Sequence, residues 1–295
     1  VTAPPDAAWL PAAGRALGGT AVVVARTPLA GGYVAASVER VDLDVAGRTV
    51  PVVLKAASPV EVAAMRAVAV VRPVAPGPGL LAAGDGWIVV PFVDGTPPAD
   101  GEPVPDAAWE ALARVHAHWW RRRPRGIPLV DAAHWRALCD RTLVAVRGAA
   151  ARTGDPAFTE VADALAAWRT DPRIDAALAG LPRTLVHGDA HRGNLLGGAL
   201  IDWGNARVAP AGVDVLTLAG VPGATAPRAY TALFDALRPG AQPPGVAEVE
   251  RAWAEVHVHV HYLGFAADHL GAERVGEMAA VAERGLRTLG PLLAT

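Results

Sequence analysis

The sequence predicts an α+β fold in two lobes: a small antiparallel-sheet lobe over residues 1–93 and a larger helical lobe over residues 94–295. Three observations predict it. Short Val-rich runs separated by turn residues crowd the first 93 positions, as in a strand-rich segment. Asp94–Asp106 is rich in Pro, Gly and Asp, the composition of a connector. Beyond it apolar residues recur at helical spacing, interrupted by one non-helical island near residues 184–204. Strands followed by helices indicate segregated layers rather than a parallel α/β sheet.

Val22–Ala25, Ala35–Leu43 and Val50–Leu54 read as the first three strands, parted by Pro28, Gly31-Gly32 and Ala46-Gly47. A helix then opens with Ser58 as N-cap, Pro59 as its first residue and Glu61 in its first turn. Gly84-Asp85-Gly86 turns the chain into a further strand, Trp87–Val90. In the second lobe, Asp106–Trp120 places Trp109, Leu112, Ala113 and His116 on one helical face. Further helices are expected over Asp131–Arg147, Phe158–Trp168, Ala226–Leu237, Val246–His269 and Glu273–Leu289. Within the island, Thr184–Val186 and Ala199–Ile201 are two short strands bracketing a polar loop. No repeat of 20–50 residues is present, so a solenoid is not expected.

Composition narrows the class. Of 295 residues, 52% are hydrophobic and 19% charged, which suits a folded chain and not a disordered one. A net charge of −2 gives no electrostatic reason to bind nucleic acid. The single Cys139 excludes an internal disulfide and a Cys-rich metal site, fits a reducing compartment, and reads as a small buried hydrophobe. The apolar stretch Val62–Val71 contains Arg66 and is far shorter than the ~20 residues a membrane span needs. The first residues lack the basic segment and apolar core of a signal peptide. The expectation is a cytoplasmic protein, monomer or homodimer, that binds neither membrane nor nucleic acid. Residue choice says more. Among 27 Lys and Arg, Lys55 is the only lysine, and Asn194 and Asn205 are the only asparagines. A GC-rich genome accounts for the scarcity, but arginine is a planar fork and lysine a compact point charge. A lysine kept where every other cation is arginine therefore marks a position worth tracing.

The island carries the chemistry. His187-Gly188-Asp189 is followed by Asn194, five positions after the aspartate, and Ile201-Asp202-Trp203-Gly204 closes the next strand. Phosphoryl transfer needs a carboxylate to accept the proton of the attacking hydroxyl, and oxygen donors to hold a divalent ion against the phosphates. Mg²⁺ is a hard cation, so Asp and Asn oxygens suit it. This double motif resembles that of the aminoglycoside phosphotransferase family, within the protein-kinase-like small-molecule kinases that include choline, fructosamine and sugar kinases. The resemblance implies a bilobal kinase-like fold, ATP and Mg²⁺ as cofactors, Asp189 as catalytic base, and Asn194 and Asp202 as metal ligands. It implies a bracing role for His187 and a γ-phosphate contact for His191.

The resemblance also implies partners in the first lobe. A cation on the third strand should hold the α/β-phosphates, paired with a glutamate on the following helix. Val52-Val53-Leu54-Lys55 ends in the lone lysine, and Glu61 lies six positions later. Gly31 and Gly32, in the turn between the first two strands, can approach phosphates through backbone N–H groups; a plain hairpin turn is the alternative. Phe92 and Val93 stand at the interlobe hinge, where backbone groups meet the adenine edge. Pro91 has no N–H, so those contacts fall to its neighbours. Asp214 reads as the cap of a later helix.

The acceptor is expected to be a small molecule with a hydroxyl group, and a cationic one. The connector carries Asp94, Asp100, Glu102 and Asp106 with no base, and the last helices add Glu248, Glu250, Glu255, Asp268, Glu273 and Glu277. An acidic pocket would attract an aminoglycoside; solvated helix faces are the alternative. Other acceptors (a sugar, amino sugar, choline-like compound or nucleoside antibiotic) stay open, as does an inactive nucleotide-binding module. His257 and His261 share a helix face beside Trp253 and Tyr262, readable as packing, a substrate-facing patch or a metal site short of a third ligand. Asn205 directly follows the second motif and has no assigned role.

Overall fold

In the computed structural model, residues 4–29, 37–71, 79–99, 101–245 and 247–294 are described. The chain packs as two compact units. One comprises Val1–Trp119, Arg123–Pro128 and His187–Ala206; the other comprises Trp120–Arg122, Leu129–Val186 and Arg207–Thr295. The units do not follow chain order, because the island loop packs in the same unit as the N-terminal sheet.

The first unit opens with helix α1 (Asp6–Ala16), followed by strands β1 (Ala21–Pro28), β2 (Val38–Val45) and β3 (Arg48–Ala56). Helix α2 (Pro59–Ala69), strands β4 (Ala82–Gly84) and β5 (Trp87–Pro91), and helix α3 (Asp106–Trp119) come next. The five strands form one antiparallel sheet in the order β1-β2-β3-β5-β4. Ala46 and Gly47 join β2 to β3 with φ of 52° and 77°. Both residues are left-handed, as a two-residue hairpin turn matching the sheet's twist requires. On β3 the two-residue period buries Val52, Leu54 and Ala56 on one face. Val52 and Leu54 pack with Trp9, Ala13, Val41, Leu43 and Val89 into one apolar cluster. Lys55 necessarily points to the opposite face.

Helix α1, β4 and helix α6 below are elements the apolar pattern did not announce. Helix α1 carries Pro11 and Gly14 within its span, residues that ordinarily argue against a helix. Tertiary burial decides here: Trp9 is fully buried in the sheet's core cluster.

The second unit is mainly helical: α4 (Ala132–Thr153), α5 (Pro156–Trp168), α6 (Pro172–Gly180), α7 (Gly212–Ala219), α8 (Arg228–Leu237), α9 (Glu248–His269) and α10 (Ala272–Leu293). Helices α5 and α6 each begin with an Asp N-cap and Pro at the first position, Asp155-Pro156 and Asp171-Pro172. Strands β6 (Thr184–Val186) and β9 (Arg207–Ala209) pair antiparallel at the two exits of the island. The core of this unit is built around Trp135, Leu165, Trp253 and Leu263. Cys139 is buried there, and burial first, with Asp140 adding, pushes its thiol up to about 12. Among the described residues no helix is long and apolar enough to cross a membrane.

Candidate active site

Within the first unit, a short hairpin organises the island loop. Strands β7 (Leu195–Leu196) and β8 (Ala199–Leu200) pair antiparallel around Gly197 and Gly198, with φ of 53° and 82°. The next rung is Ile201 N–H donating to Asn194 C=O at 2.9 Å. The hairpin therefore delivers Asn194 at the end of one strand and Asp202 just beyond the other. A 3₁₀ turn over Arg192–Asn194 precedes it, and another over Trp203–Asn205 follows.

His187 braces this frame. Asp189 N–H donates to its Nδ1 at 3.3 Å, so the ring proton resides on Nε2, which donates to Ile201 C=O at 2.8 Å. The ring is fully buried and lies 4.7 Å from the Trp203 ring. The ring ties the loop that carries Asp189 to Ile201, the residue before Asp202.

Lys55, Glu61 and Asp202 converge. Lys55 Nζ donates to Glu61 Oε1 at 2.7 Å and to Asp202 Oδ1 at 2.8 Å. Glu61 is placed by the start of α2, where Ser58 Oγ accepts its N–H at 3.1 Å. The Ser–Glu spacing is that of a capping box, but the Glu61 side chain reaches Lys55. Burial works against the Lys55 charge, yet the Glu61 and Asp202 carboxylates outweigh it and raise its pKa. Burial raises Glu61 despite Lys55. At Asp202 burial is opposed by Lys55, the Gly204 N–H and His187, which together hold the carboxyl below its ordinary value.

Asp202 is one of three non-glycine residues at positive φ among those described, with φ 61° and ψ 68°. This left-handed conformation costs energy for a residue with a Cβ, though Asp tolerates it better than most. Gly204 makes room beside it: a Cβ there would lie 3.3 Å from Asp202 Oδ1 and 3.8 Å from Glu61 Oε2.

Asp189 is held from several sides. Asn194 Nδ2 donates to its backbone carbonyl at 2.8 Å, and Asn205 Nδ2 donates to its Oδ2 at 3.2 Å. His191 Nδ1 accepts Gly193 N–H at 3.0 Å, which leaves the ring proton on Nε2, 3.7 Å from Asp189 Oδ1. Because Asn194 uses its amide nitrogen internally, its side-chain oxygen is the atom presented to a ligand. An amide oxygen here and the half-exposed Asp202 carboxylate are hard oxygen donors, so the residues present fit Mg²⁺. Asn205 is the residue that sequence reasoning left unassigned. Its scarcity in the chain was the signal, and only the folded loop shows its contact.

On the nucleotide side, Gly31 and Gly32 lie outside the described residues. Phe92 N–H donates to Pro51 C=O at 3.1 Å, continuing the sheet beyond β5, and the Arg40 guanidinium lies 4.7 Å from its ring centroid. The Phe92 N–H is therefore engaged within the sheet and not open to the adenine contact expected of it.

Several residues expected to cap a helix or to face the acceptor have structural surroundings in the second unit. Asp214 does not cap α7: the N-cap position is Ala211, and Asp214 is fully buried in the first turn. Glu250 is buried, its Oε1 accepting Gly212 N–H at 3.0 Å and its Oε2 Gly245 N–H at 2.7 Å. It acts as an internal capping group. Asp268 pairs with Arg152 at 2.8 Å and Glu277 with Arg274 at 2.7 Å. His257 is buried, with Trp253 4.9 Å, His134 6.3 Å and His261 6.4 Å away between ring centroids. Burial, then Arg207, lowers the pKa of all three histidines, His134 to about 4 and His261 to about 3. Among the described residues no group of three or more His, Cys, Asp or Glu could hold a metal.

Comparison with known proteins bears on the family and the fold. The model of the phosphotransferase enzyme family (APH) matches residues 26–254. No curated protein sequence matches the chain. Among solved structures, the fold is similar to choline kinase from Cryptosporidium parvum Iowa II, at 10% identity and a TM-score of 0.57 over 92% of this chain and 90% of that one. It is similar to spectinomycin phosphotransferase, solved with ADP and spectinomycin, at 12% identity and 0.51 over 90% and 92%. A variant of aminoglycoside 2′-phosphotransferase IIIa, solved with GDP, gives 16% identity and 0.51 over 92% and 94%. At these identities the likeness shows a shared fold, the protein-kinase-like phosphotransferase fold expected from the two motifs.

Proposed function

Because the chain belongs to the phosphotransferase enzyme family, we propose that it moves the γ-phosphoryl group of ATP, with Mg²⁺, to a hydroxyl of a small molecule. An aminoglycoside or related antibiotic is the leading acceptor. The observation that carries this is the hydrogen-bonded set Lys55–Glu61–Asp202, joined through one short hairpin to Asn194 and Asp189. A purely structural loop has no need of a half-buried lysine shared by two carboxylates.

In this mechanism Lys55 holds the α/β-phosphates, with Glu61 fixing its ammonium group. The Asn194 side-chain oxygen and the Asp202 carboxylate would hold Mg²⁺, which when bound neutralises charge on the phosphate oxygens. Asp189 accepts the proton of the acceptor hydroxyl as its oxygen forms the new P–O bond, and the bond to the β-phosphate oxygen breaks. His191, carrying its proton on Nε2, is a donor suited to the γ-phosphate. Val93 supplies backbone contacts to the base. Residues 1–93 would contribute the nucleotide-binding lobe, and 94–295 the catalytic loop and acceptor site.

The test is an acceptor screen with Mg·ATP against pooled aminoglycosides, peptide and nucleoside antibiotics, amino sugars, sugars and choline, read by mass addition of a phosphoryl group. The expected result is transfer to one class, abolished by Asp189→Asn with ATP binding retained. Binding of Mg·ATP with transfer to no acceptor would favour an inactive nucleotide-binding module. Full activity in the Asp189→Asn protein would overturn the mechanism.

A further inference from the structure

The chain has two asparagines, and both donate their side-chain amide to the same residue. Asn194 Nδ2 bonds the Asp189 backbone carbonyl at 2.8 Å, and Asn205 Nδ2 bonds the Asp189 carboxylate at 3.2 Å. The first bond holds the loop; the second holds the side chain. We infer that Asn205 is a positioning residue for Asp189, engaging Oδ2 to hold the carboxylate in one orientation toward the acceptor hydroxyl. This rests on the assignment of Asp189 as the base.

Three features of the fold support that role. First, Asn205 is firmly mounted although its own side chain is exposed. It ends the 3₁₀ turn whose first residue, Trp203, is fully buried beside His187 and donates from Nε1 to Leu200 C=O at 3.2 Å. Second, Asp189 is tied at its main chain and at its side chain. Asn194 Nδ2 holds the carbonyl and Asn205 Nδ2 holds the carboxylate at Oδ2. Third, the donor is neutral. An arginine at this position, the chain's usual choice of polar donor, would make a charge-assisted pair and reduce the carboxylate's readiness to take a proton. An amide fixes the rotamer without supplying a counter-charge. Asp202 is the N-cap of the same turn, so the contact to the base and the proposed metal ligand stand at the two ends of one short element.

The test uses the full chain, with Mg·ATP as donor and water as acceptor, read as phosphate release; the preferred acceptor from the screen provides a second assay. Asn205→Ala should lower kcat about 10- to 100-fold, the range expected when a base loses its alignment, while the Kd for Mg·ATP stays within about twofold. Asn205→Asp keeps the shape but sets a carboxylate against a carboxylate. It should be weaker than Asn205→Ala at neutral pH and recover relative to it as pH falls, when the new side chain is protonated and becomes a donor. A merely structural residue would not produce that pH-dependent rescue. A crystal structure of the Asn205→Ala protein with Mg·ADP should show the Asp189 carboxylate rotated or in two rotamers; the same single rotamer as in the wild type would overturn the inference. Asp189→Asn separates the two claims. If it retains wild-type phosphate release, the base assignment fails. If it loses release while Asn205→Ala keeps the wild-type kcat, the positioning role alone fails.

Discussion

Lys55 Nζ donates to Asp202 Oδ1 at 2.8 Å, closing a sequence separation of 147 residues. The same ammonium group holds the buried Glu61 at 2.7 Å. Removing it has two separable consequences. Lys55→Met should reduce kcat/KM by roughly 100-fold or more, the usual cost of deleting a preorganised donor to a charged transition state. It should also lower stability by about 3 kcal/mol, because Glu61 loses its partner while still buried. Adding Glu61→Gln should recover much of the stability and none of the activity, which denaturant titration and steady-state kinetics would distinguish. Lys55→Arg should not restore activity, since a guanidinium fork does not fit between two carboxylates arranged around a single nitrogen.

Asn194 and Asp202 should govern the response to divalent metal. In Asn194→Ala the Mg²⁺ concentration for half-maximal activity should rise about tenfold or more, and Asp202→Asn should abolish turnover. Mn²⁺ binding in the presence of ADP, followed by electron paramagnetic resonance, gives the same comparison without catalysis. An unchanged metal midpoint in Asn194→Ala would remove Asn194 from the donor set.

Gly204 is needed for space and not for backbone conformation, since its φ is not among the positive ones. A methyl group there would sit 3.3 Å from Asp202 Oδ1. Gly204→Ala should therefore weaken metal-dependent activity roughly tenfold through displacement of the carboxylate, at an order of magnitude in line with small misplacements at active sites. The melting temperature should change little. A large loss of stability with normal metal dependence would contradict this account.

Acid sensitivity should come partly from the buried histidines of the helical unit. Neither ring nitrogen of His257 has a hydrogen-bond partner among the described residues, nor do His134 Nε2 and His261 Nδ1. Burial holds these groups neutral in the fold, with Arg207 adding to it for all three and Arg141 for His134 and His261. The sign follows directly. Above pH 6.5 both folded and unfolded states are neutral at these rings; below it the unfolded chain binds protons that the fold refuses, so stability falls as pH drops toward about 4. Thermal unfolding at pH 7, 6 and 5 should show this decline, and His257→Phe should flatten it. A melting temperature constant from pH 7 to 5 in the wild type would rule the effect out.

Much of this was legible without coordinates because the information is local. Alternating Val residues, the Ser58-Pro59 helix start and the two loop motifs each depend on neighbours within a few positions. Helix α1 was not legible, because Pro11 and Gly14 disguise it and Trp9 buries against strands far along the chain. Asp214, read as a structural helix cap, and Glu250, read as part of an acceptor pocket or of a solvated helix face, are both buried, and Asp214 is not the cap. Burial of an acidic group is decided by which backbone N–H groups happen to surround it, as Gly212 and Gly245 surround Glu250.

By itself, then, the sequence determined the fold class, because that follows from periodicity along the chain, and the resemblance of its two loop motifs to a known family pointed to the family and to the polar residues of the island loop. Only the tertiary structure decided how they are wired: Lys55 shared between Glu61 and Asp202, the two asparagines converging on Asp189, and Phe92 engaged by Pro51. Those contacts are hydrogen bonds with fixed distance and direction. Their partners are set by how the sheet and hairpin pack, not by how far apart the residues lie in sequence.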